Sequence, residues 1–514
     1  MKNIKDLYTG ILKAVEGWST KKKIFVLIVV WALIFIPSIA VYTSIHRRTQ
    51  FSYYPESSSP IDADREDWNV TVYPEANITQ GRYVREVEEG KPLNFKWKAE
   101  NYTARVHVGQ VTVYYNTSWG TQDLVRLHHS AQESEGDDET WKANKTFERN
   151  GKIHFYFRVD KSDLPRFYKR ASVIIEGGNV YEEVRTGPPP LIHFFFIPPT
   201  VLAPSAEFGG YFLSFYIYFA LFILVDALLL FYMFRDWDEN KAFFSSLLFI
   251  ANPISIYTLF QDEGIIAFTV ILSLLLLIKR RKKLGAISIG LGSITKVWTG
   301  FLIPAQLFDR DNRFNERLRH VGISAAVALS LMSFFYFLWG PKSLWFISFY
   351  GGSASKTTLG GVSIWVTLSS TPLISESIID HNIILAFIGI VELGILYTGY
   401  KKDWDIMLIF TSTLAFFLIM YPKIHWEYYL ILLPTFLFYA VRDKRVFSIY
   451  IGVILSLSFA RALRALPSYP DPLTTYSAFL FSSVSSLLIL WMIYMFVMED
   501  KFKRLFKELD ERCS

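Results

Sequence analysis

Residues Tyr211–Phe234 read YFLSFYIYFALFILVDALLLFYMF, an apolar stretch interrupted by one charged side chain, Asp226, and closed by Arg235. A helix of about 20 apolar residues crosses a hydrocarbon core, so this stretch reads as a membrane span. Comparable blocks recur at 24–45, 264–278, 383–396 and 476–498. With 51% hydrophobic and 17% aromatic residues in a chain of 514, there is too much apolar surface for one soluble core. Lipid must solvate much of the protein. Asp226 lies at a depth where a carboxylate avoids lipid, and a structural hydrogen bond is expected for it in preference to catalysis.

The formal charge of +6 does not point to nucleic acid, because the basic residues sit in short runs between apolar blocks. Such runs, at Lys21–Lys23, Arg235–Lys241, Lys279–Lys283, Arg310–Arg319, Lys401–Lys402, Arg442–Arg445 and Lys501–Lys507, are what cytoplasmic loops carry. If all are cytoplasmic, each intervening segment crosses twice and both termini lie inside. Helices are then expected near 24–45, 210–234, 241–260, 263–278, 284–296, 297–308, 321–338, 382–400, 405–421, 427–441, 446–463 and 476–498, about twelve spans in all. The pair 284–308 is too short for two full passes and reads as a broken hairpin with Lys296 near its turn. The first block could instead be a signal peptide, with Ser38 and Ala40 as a weak cleavage site, but its apolar run is longer than a usual signal core. The single cysteine, Cys513, excludes a disulfide within the chain.

Between Phe51 and Gly187 the composition turns polar, with alternating runs at 68–73, 93–97, 110–115, 153–159 and 172–175. Short strands at such spacing predict an antiparallel β-sandwich, and Glu176-Gly177-Gly178-Asn179 reads as a hairpin turn. All five Asn-x-Ser/Thr sequons, at Asn69, Asn77, Asn101, Asn116 and Asn144, fall here, which agrees with an extracytoplasmic position. The domain plan is thus 1–50 for a cytoplasmic N-terminus and first helix, 51–187 for the β domain, 188–498 for the multi-pass domain and 499–514 for a cytoplasmic tail. Gly290-x-Gly292 lies in an apolar helix, so close helix packing is expected of it, not phosphate binding.

Polar groups in the outer loops mark candidate chemistry. Asp262 and Glu263 stand between two helices, with helix capping by Asp262 as the plain alternative. Lys296 is embedded in apolar sequence, where snorkelling to the interface and an anionic partner are both open. Lys423, His425 and Glu427 crowd into one short segment, Lys356 lies in the long 339–382 loop with Gly360-Gly361 and Ser363-Ile364-Trp365, and Arg461 and Arg464 are cations on the outer side. Phosphate is one reason for outward cations near a membrane. Solvated loop charge is the alternative for each.

The order of these features resembles the GT-C glycosyltransferases that use polyprenyl-phosphate sugars, mannosyltransferase-like families in particular. Gly187-Pro188-Pro189-Pro190-Leu191 looks like a Tyr-Pro-Pro-Leu element, and Asn252-Pro253 with Gln261-Asp262 is similar to an Asn-Pro and Gln-x-Asp pattern. Gly290–Pro304 looks like a lysine-bearing short hairpin, and Lys423-Ile424-His425-Trp426-Glu427-Tyr428 resembles a Lys-x-His-Glu-x-Tyr element. Near the Lys356 position an arginine commonly stands in these families. The β domain is outside their common core, and where they place an acidic residue soon after the first helix this chain has His46-Arg47-Arg48, with Asp62 and Asp64 further on.

The resemblance implies inverting transfer of a mannose-like sugar from a polyprenyl or dolichyl phosphate donor to a glycan or lipid hydroxyl on the extracytoplasmic face. Asp62, Asp64, Asp262 and Glu263 are the candidate bases, and Lys296, Lys356, Lys423, His425 and Arg461 the candidate phosphate ligands. Phosphate is already a good leaving group, so no metal or other cofactor is demanded. A non-catalytic scramblase or transporter of lipid-linked sugars, or a membrane-anchored binding or assembly protein, is the alternative.

Overall fold

The computed structural model of the protein describes residues 10, 12–49, 51–53, 69–74, 77–79, 82–100, 110–129, 139–160, 163–184, 186–203, 211–308, 313–347, 360–369, 381–464 and 472–502. The chain forms two compact units. One comprises Met1–Ser38, Gly187–Ile192 and Tyr216–Ser514, the other Ile39–Thr186 and His193–Phe215.

The smaller unit contains strands β1 (Phe51–Tyr53), β2 (Asn69–Tyr73), β3 (Asn77–Thr79), β4 (Arg82–Val87), β5 (Pro92–Glu100), β6 (Gln110–Thr117), β7 (Gln122–Arg126), β8 (His128–His129), β9 (Glu139–Thr146) and β10 (Gly151–Asp160). Two antiparallel sheets result, one ordered β3-β4-β10-β6-β7 with β1 also on β10, the other β2-β5-β9-β8. The alternation read in the sequence sets their faces: Ile153, Phe155 and Phe157 of β10 are buried, while Lys152, His154 and Tyr156 between them are not. Phe155 meets Phe95 of the other sheet edge-on at 5.2 Å and stacks on Tyr83 at 5.3 Å, so both sheets share one core.

The expected strand at 172–175 and hairpin at 176–179 are corrected. Leu164–Ile175 is a helix that buries Leu164, Phe167 and Ala171, a helical spacing. Four alternating residues were too few to distinguish the two periods. Gly177, at φ 79°, ends the helix, and Asn179 caps the short Val180–Glu183 helix through a 3.1 Å bond from the Tyr181 N–H.

Each segment expected to be a span contains helix among the described residues. Six helices are long and apolar enough to cross a membrane alone: Thr20–Thr43, Phe212–Phe234, Phe314–Trp339, Asn382–Lys401, Lys444–Leu463 and Tyr476–Met498. Glu239–Ile250 and Pro253–Phe260 form a pair bent by 45°. Proline lacks the amide hydrogen and disfavours helix in the residue before it. Asn252 is accordingly extended, and its Oδ1 caps the next helix at the Ile254 N–H, 2.8 Å away. Glu263–Ile278, Val297–Phe308 and Ile406–Met420 are apolar but shorter. Side chains such as Phe337, 85% exposed, and Leu33, 70% exposed, stand outward, as lipid-facing helices require.

The basic loops collect at one end of this unit. Thr20 and Lys23 bond Glu239, Lys279 pairs with Asp236, Arg445 with Glu499 at 2.8 Å, and Lys501 with Asp443. Helix Glu263–Ile278, 16 residues and so about 24 Å long, carries its first residue to the opposite end from Lys279.

Gly290 and Gly292 serve close packing, as expected. A Cβ on Gly290 would sit 2.7 Å from the Ser324 carbonyl of the Phe314–Trp339 helix, and one on Gly292 2.6 Å from Thr299. Asp226 departs from expectation: it is fully buried, yet neither oxygen has a hydrogen-bond partner among the described residues.

Candidate functional site

At the end away from the basic loops, three short irregular segments converge. The first is the joint before Glu263–Ile278. Asp262 occupies the N-cap position but makes no side-chain cap bond, so the capping alternative fails. Its Oδ1 instead accepts a hydrogen bond from Lys296 Nζ at 2.8 Å, and Glu263 Oε1 accepts another at 2.9 Å. All three side chains are buried.

The second segment explains why Lys296 arrives there. Helix Lys282–Thr295 ends because Lys296 is extended, at φ −158° and ψ 145°, and the chain re-enters as the 3-10 turn Val297–Phe301. The absent side chain at Gly292 lets Thr299 pack back on the helix, and Thr299 Oγ1 lies 2.8 Å from Thr269 Oγ1 of Glu263–Ile278. Lys296 therefore stands at the break of a short hairpin, and its ammonium has anionic partners, one of the two outcomes that its sequence context left open.

The third segment follows Tyr421. Strand β12 (Lys423–Ile424) pairs in parallel with β11 (Gly360–Gly361), and Val362 N–H donates to the Ile424 carbonyl at 2.6 Å. Gly361 has φ 70°, and a Cβ there would lie 1.8 Å from the Ile424 oxygen. Only glycine permits this approach. Ser363-Ile364-Trp365 is fastened to the same region, for Trp365 Nε1 donates to the Met420 carbonyl at 2.6 Å.

After β12, His425 and the turn Trp426–Tyr428 present three rings. Tyr428 lies with its ring centre 5.1 Å from Lys296 Nζ, His425 is 5.8 Å from Tyr428, and the Arg461 guanidinium sits 4.3 Å over Trp426. Glu427 of the same turn is buried. One segment thus connects the carboxylate and ammonium group to an edge carrying Lys423, His425 and Arg461.

Of the nine sequence candidates, Asp262, Glu263 and Lys296 meet directly, and Lys423, His425 and Arg461 belong to the adjoining segment or stack on it. Asp62, Asp64 and Lys356 lie outside the described residues. Tyr428 as the neighbour of Lys296, and Trp298, 5.1 Å from Tyr428, are additions. Their only signal was aromatic residues close to the key charges, which interface anchoring explained equally well. Asn252 proves structural, its Nδ2 donating to Tyr450 Oη at 2.9 Å. Among the described residues no three His, Cys, Asp or Glu side chains are placed to hold a metal ion.

The helical unit that gathers these carboxylates and cations on short loops at one end also carries a match to a glycosyltransferase family. Residues 188–420, somewhat under half of the chain, match the model of Glycosyltransferase family 87. Asp262, Glu263 and Lys296 fall inside that match, and Lys423, His425 and Arg461 beyond it. Among solved structures the chain is similar to the Archaeoglobus fulgidus oligosaccharyltransferase tethered with an acceptor peptide containing the NVT sequon via a disulfide bond. The TM-score is 0.34 and the identity 12%, with 66% of this chain and 51% of that one covered. The chain thus spans about half the length of that enzyme, and a likeness of this size carries no argument. No curated protein matches the sequence.

Proposed function

We propose that the protein transfers a mannose-like sugar from a polyprenyl or dolichyl phosphate to a hydroxyl of a glycan or lipid acceptor, with inversion, on the extracytoplasmic face. The observation that supports this most is the buried Lys296 held between Asp262 and Glu263 inside the family-matched region. Two carboxylates share one ammonium there, so one of them can serve as the base that takes the acceptor proton. As that proton leaves, the acceptor oxygen bonds the anomeric carbon from the face opposite the phosphate. The bond from that carbon to the phosphate oxygen breaks, and the lipid phosphate departs. Lys423, His425 and Arg461 lie along the edge where the phosphate charge would grow, and cations and hydrogen-bond donors fixed there favour the transition state. The β unit then forms an inserted extracytoplasmic sandwich.

The decisive assay follows sugar transfer from a polyprenyl-phosphate donor by the purified full-length protein. Asp262→Asn and Glu263→Gln are made singly, and loss of general-base catalysis costs about 10²–10⁴ in rate. At least one should fall by that factor while the protein still folds. Full activity in both would remove the base from this pair, and no product from the unaltered protein would leave a scramblase.

A further inference from the structure

The five sequons are not used by the sugar-transfer reading, and the two whose side chains are described differ sharply. On β9, Trp141 and Ala143 face the shared core, so Asn144 and Thr146 face outward, and both are exposed. Asn94, directly opposite on β5, is exposed as well. Lys145, between Asn144 and Thr146, is held on the other side of the strand by Asp123 at 3.4 Å, which fixes the outward aim of its neighbours. The pairing of β8 with β9 stops at Lys142.

Asn116 is placed in the opposite way. It lies within the six-stranded sheet, opposite His154 of β10 and Gln122 of β7. With its amide oriented to suit its neighbours, it donates to the Tyr115 carbonyl at 3.2 Å and accepts from Arg82 at 3.0 Å. The hydroxyl of its sequon, Ser118 Oγ, accepts from the Lys152 N–H at 3.0 Å. Beside it Tyr114 and Tyr156 stack at 5.5 Å with Arg82 over Tyr156. A sugar on this amide would have to displace the guanidinium and the rings packed with it.

We propose that Asn144 is an N-glycan attachment site and that Asn116, despite its sequon, is not. A separate transferase of the host would move an oligosaccharide from a lipid-linked phosphate donor. The bond from C1 to the phosphate oxygen breaks, C1 bonds Asn144 Nδ2, one amide proton passes to that transferase's base, and the lipid phosphate leaves. The proposal rests on the extracytoplasmic placement of the β unit given above.

The test uses full-length protein from the membranes of its own host, with glycopeptide mass spectrometry and gel mobility. The peptide containing Asn144 should carry a saccharide. Asn144→Gln and Thr146→Ala should each remove the same increment, and Asn116→Gln should change nothing. Thr146→Ala keeps the asparagine, so loss in both variants is not a folding effect. In parallel, Asn94→Cys in a Cys513→Ser background is treated with a membrane-impermeant maleimide on intact cells. Labelling without a saccharide on Asn144 overturns the site while leaving the placement intact. Absence of both overturns the placement too, and a saccharide on Asn116 overturns the contrast.

Discussion

The two ends of the helical unit treat charge in opposite ways. At the basic end, the Arg445–Glu499 pair lies in solvent, with Arg445 54% and Glu499 29% exposed. At the other end, Lys296, Asp262 and Glu263 are 6%, 6% and 2% exposed. Exposed pairs of the first kind contribute little, about 0–1 kcal/mol each, and cost little to form. Burying ions costs several kcal/mol apiece, and their attraction repays it only when the geometry is good. A group of the second kind is therefore hard to explain as a fastening. It sits at a helix start and a helix break beside Tyr428, where the proposed base would act.

The sharpest way to break that contrast is Lys296→Met. It leaves two carboxylates buried side by side without a counter-charge, and removing one partner of a buried ion pair costs about 3–5 kcal/mol. Thermal unfolding in detergent should show a large loss, and sugar transfer should vanish. The combined variant Lys296→Met, Asp262→Asn, Glu263→Gln should recover most of that stability, since a neutral replacement of a buried ionic group is often tolerated, yet remain inactive. If the triple variant is as unstable as the single one, the group is structural after all.

Gly361→Ala should come next. The left-handed backbone at φ 70° and the Ile424 carbonyl in the way of a Cβ leave the β11–β12 pairing no room, and local strain of this kind costs about 1–3 kcal/mol. Activity should drop with little change in global unfolding. Arg461→Ala removes a cation stacked on Trp426, worth about 0.5–2 kcal/mol. If that edge binds the donor phosphate, KM for the lipid donor should rise several-fold while KM for the acceptor holds. The reverse pattern would move Arg461 to the acceptor side.

The helical segments were legible because apolar length is a strong local signal, but the 45° bend at Asn252-Pro253 falls inside what apolar length alone made one span over 241–260. The Lys296 environment was legible in part, since an ammonium in apolar sequence either snorkels or takes a counter-charge. Which counter-charge was not, because Asp262 and Glu263 precede Lys296 by more than thirty residues and only the fold closes that distance. Residues 172–175 were misread because four alternating positions fit either period, and the helical stripe of Leu164, Phe167 and Ala171 became apparent only in the packed unit. Asp226 failed differently. Its burial followed from its place in an apolar helix, but a hydrogen bond cannot be inferred from the helix that carries only one of its partners.

The smallest effect is expected at the exposed end, where it tests the contrast from the other side. The hydrogen bond from Arg445 holds the Glu499 carboxyl below the usual range, against slight desolvation. A carboxyl with a lowered native pKa contributes stability above its unfolded value, about 4.3. That contribution disappears as pH falls through the native value. Arg445→Ala should thus lower the stability slightly at pH 7, by no more than about 1 kcal/mol given the exposure of the pair, and the difference from the unaltered protein should close below pH of about 4. Added salt should shrink it as well, because solvent-exposed charges are screened. A large, salt-insensitive loss would mean that the two ends are built alike, and burial could no longer be used to tell the proposed reactive end from the fastened one.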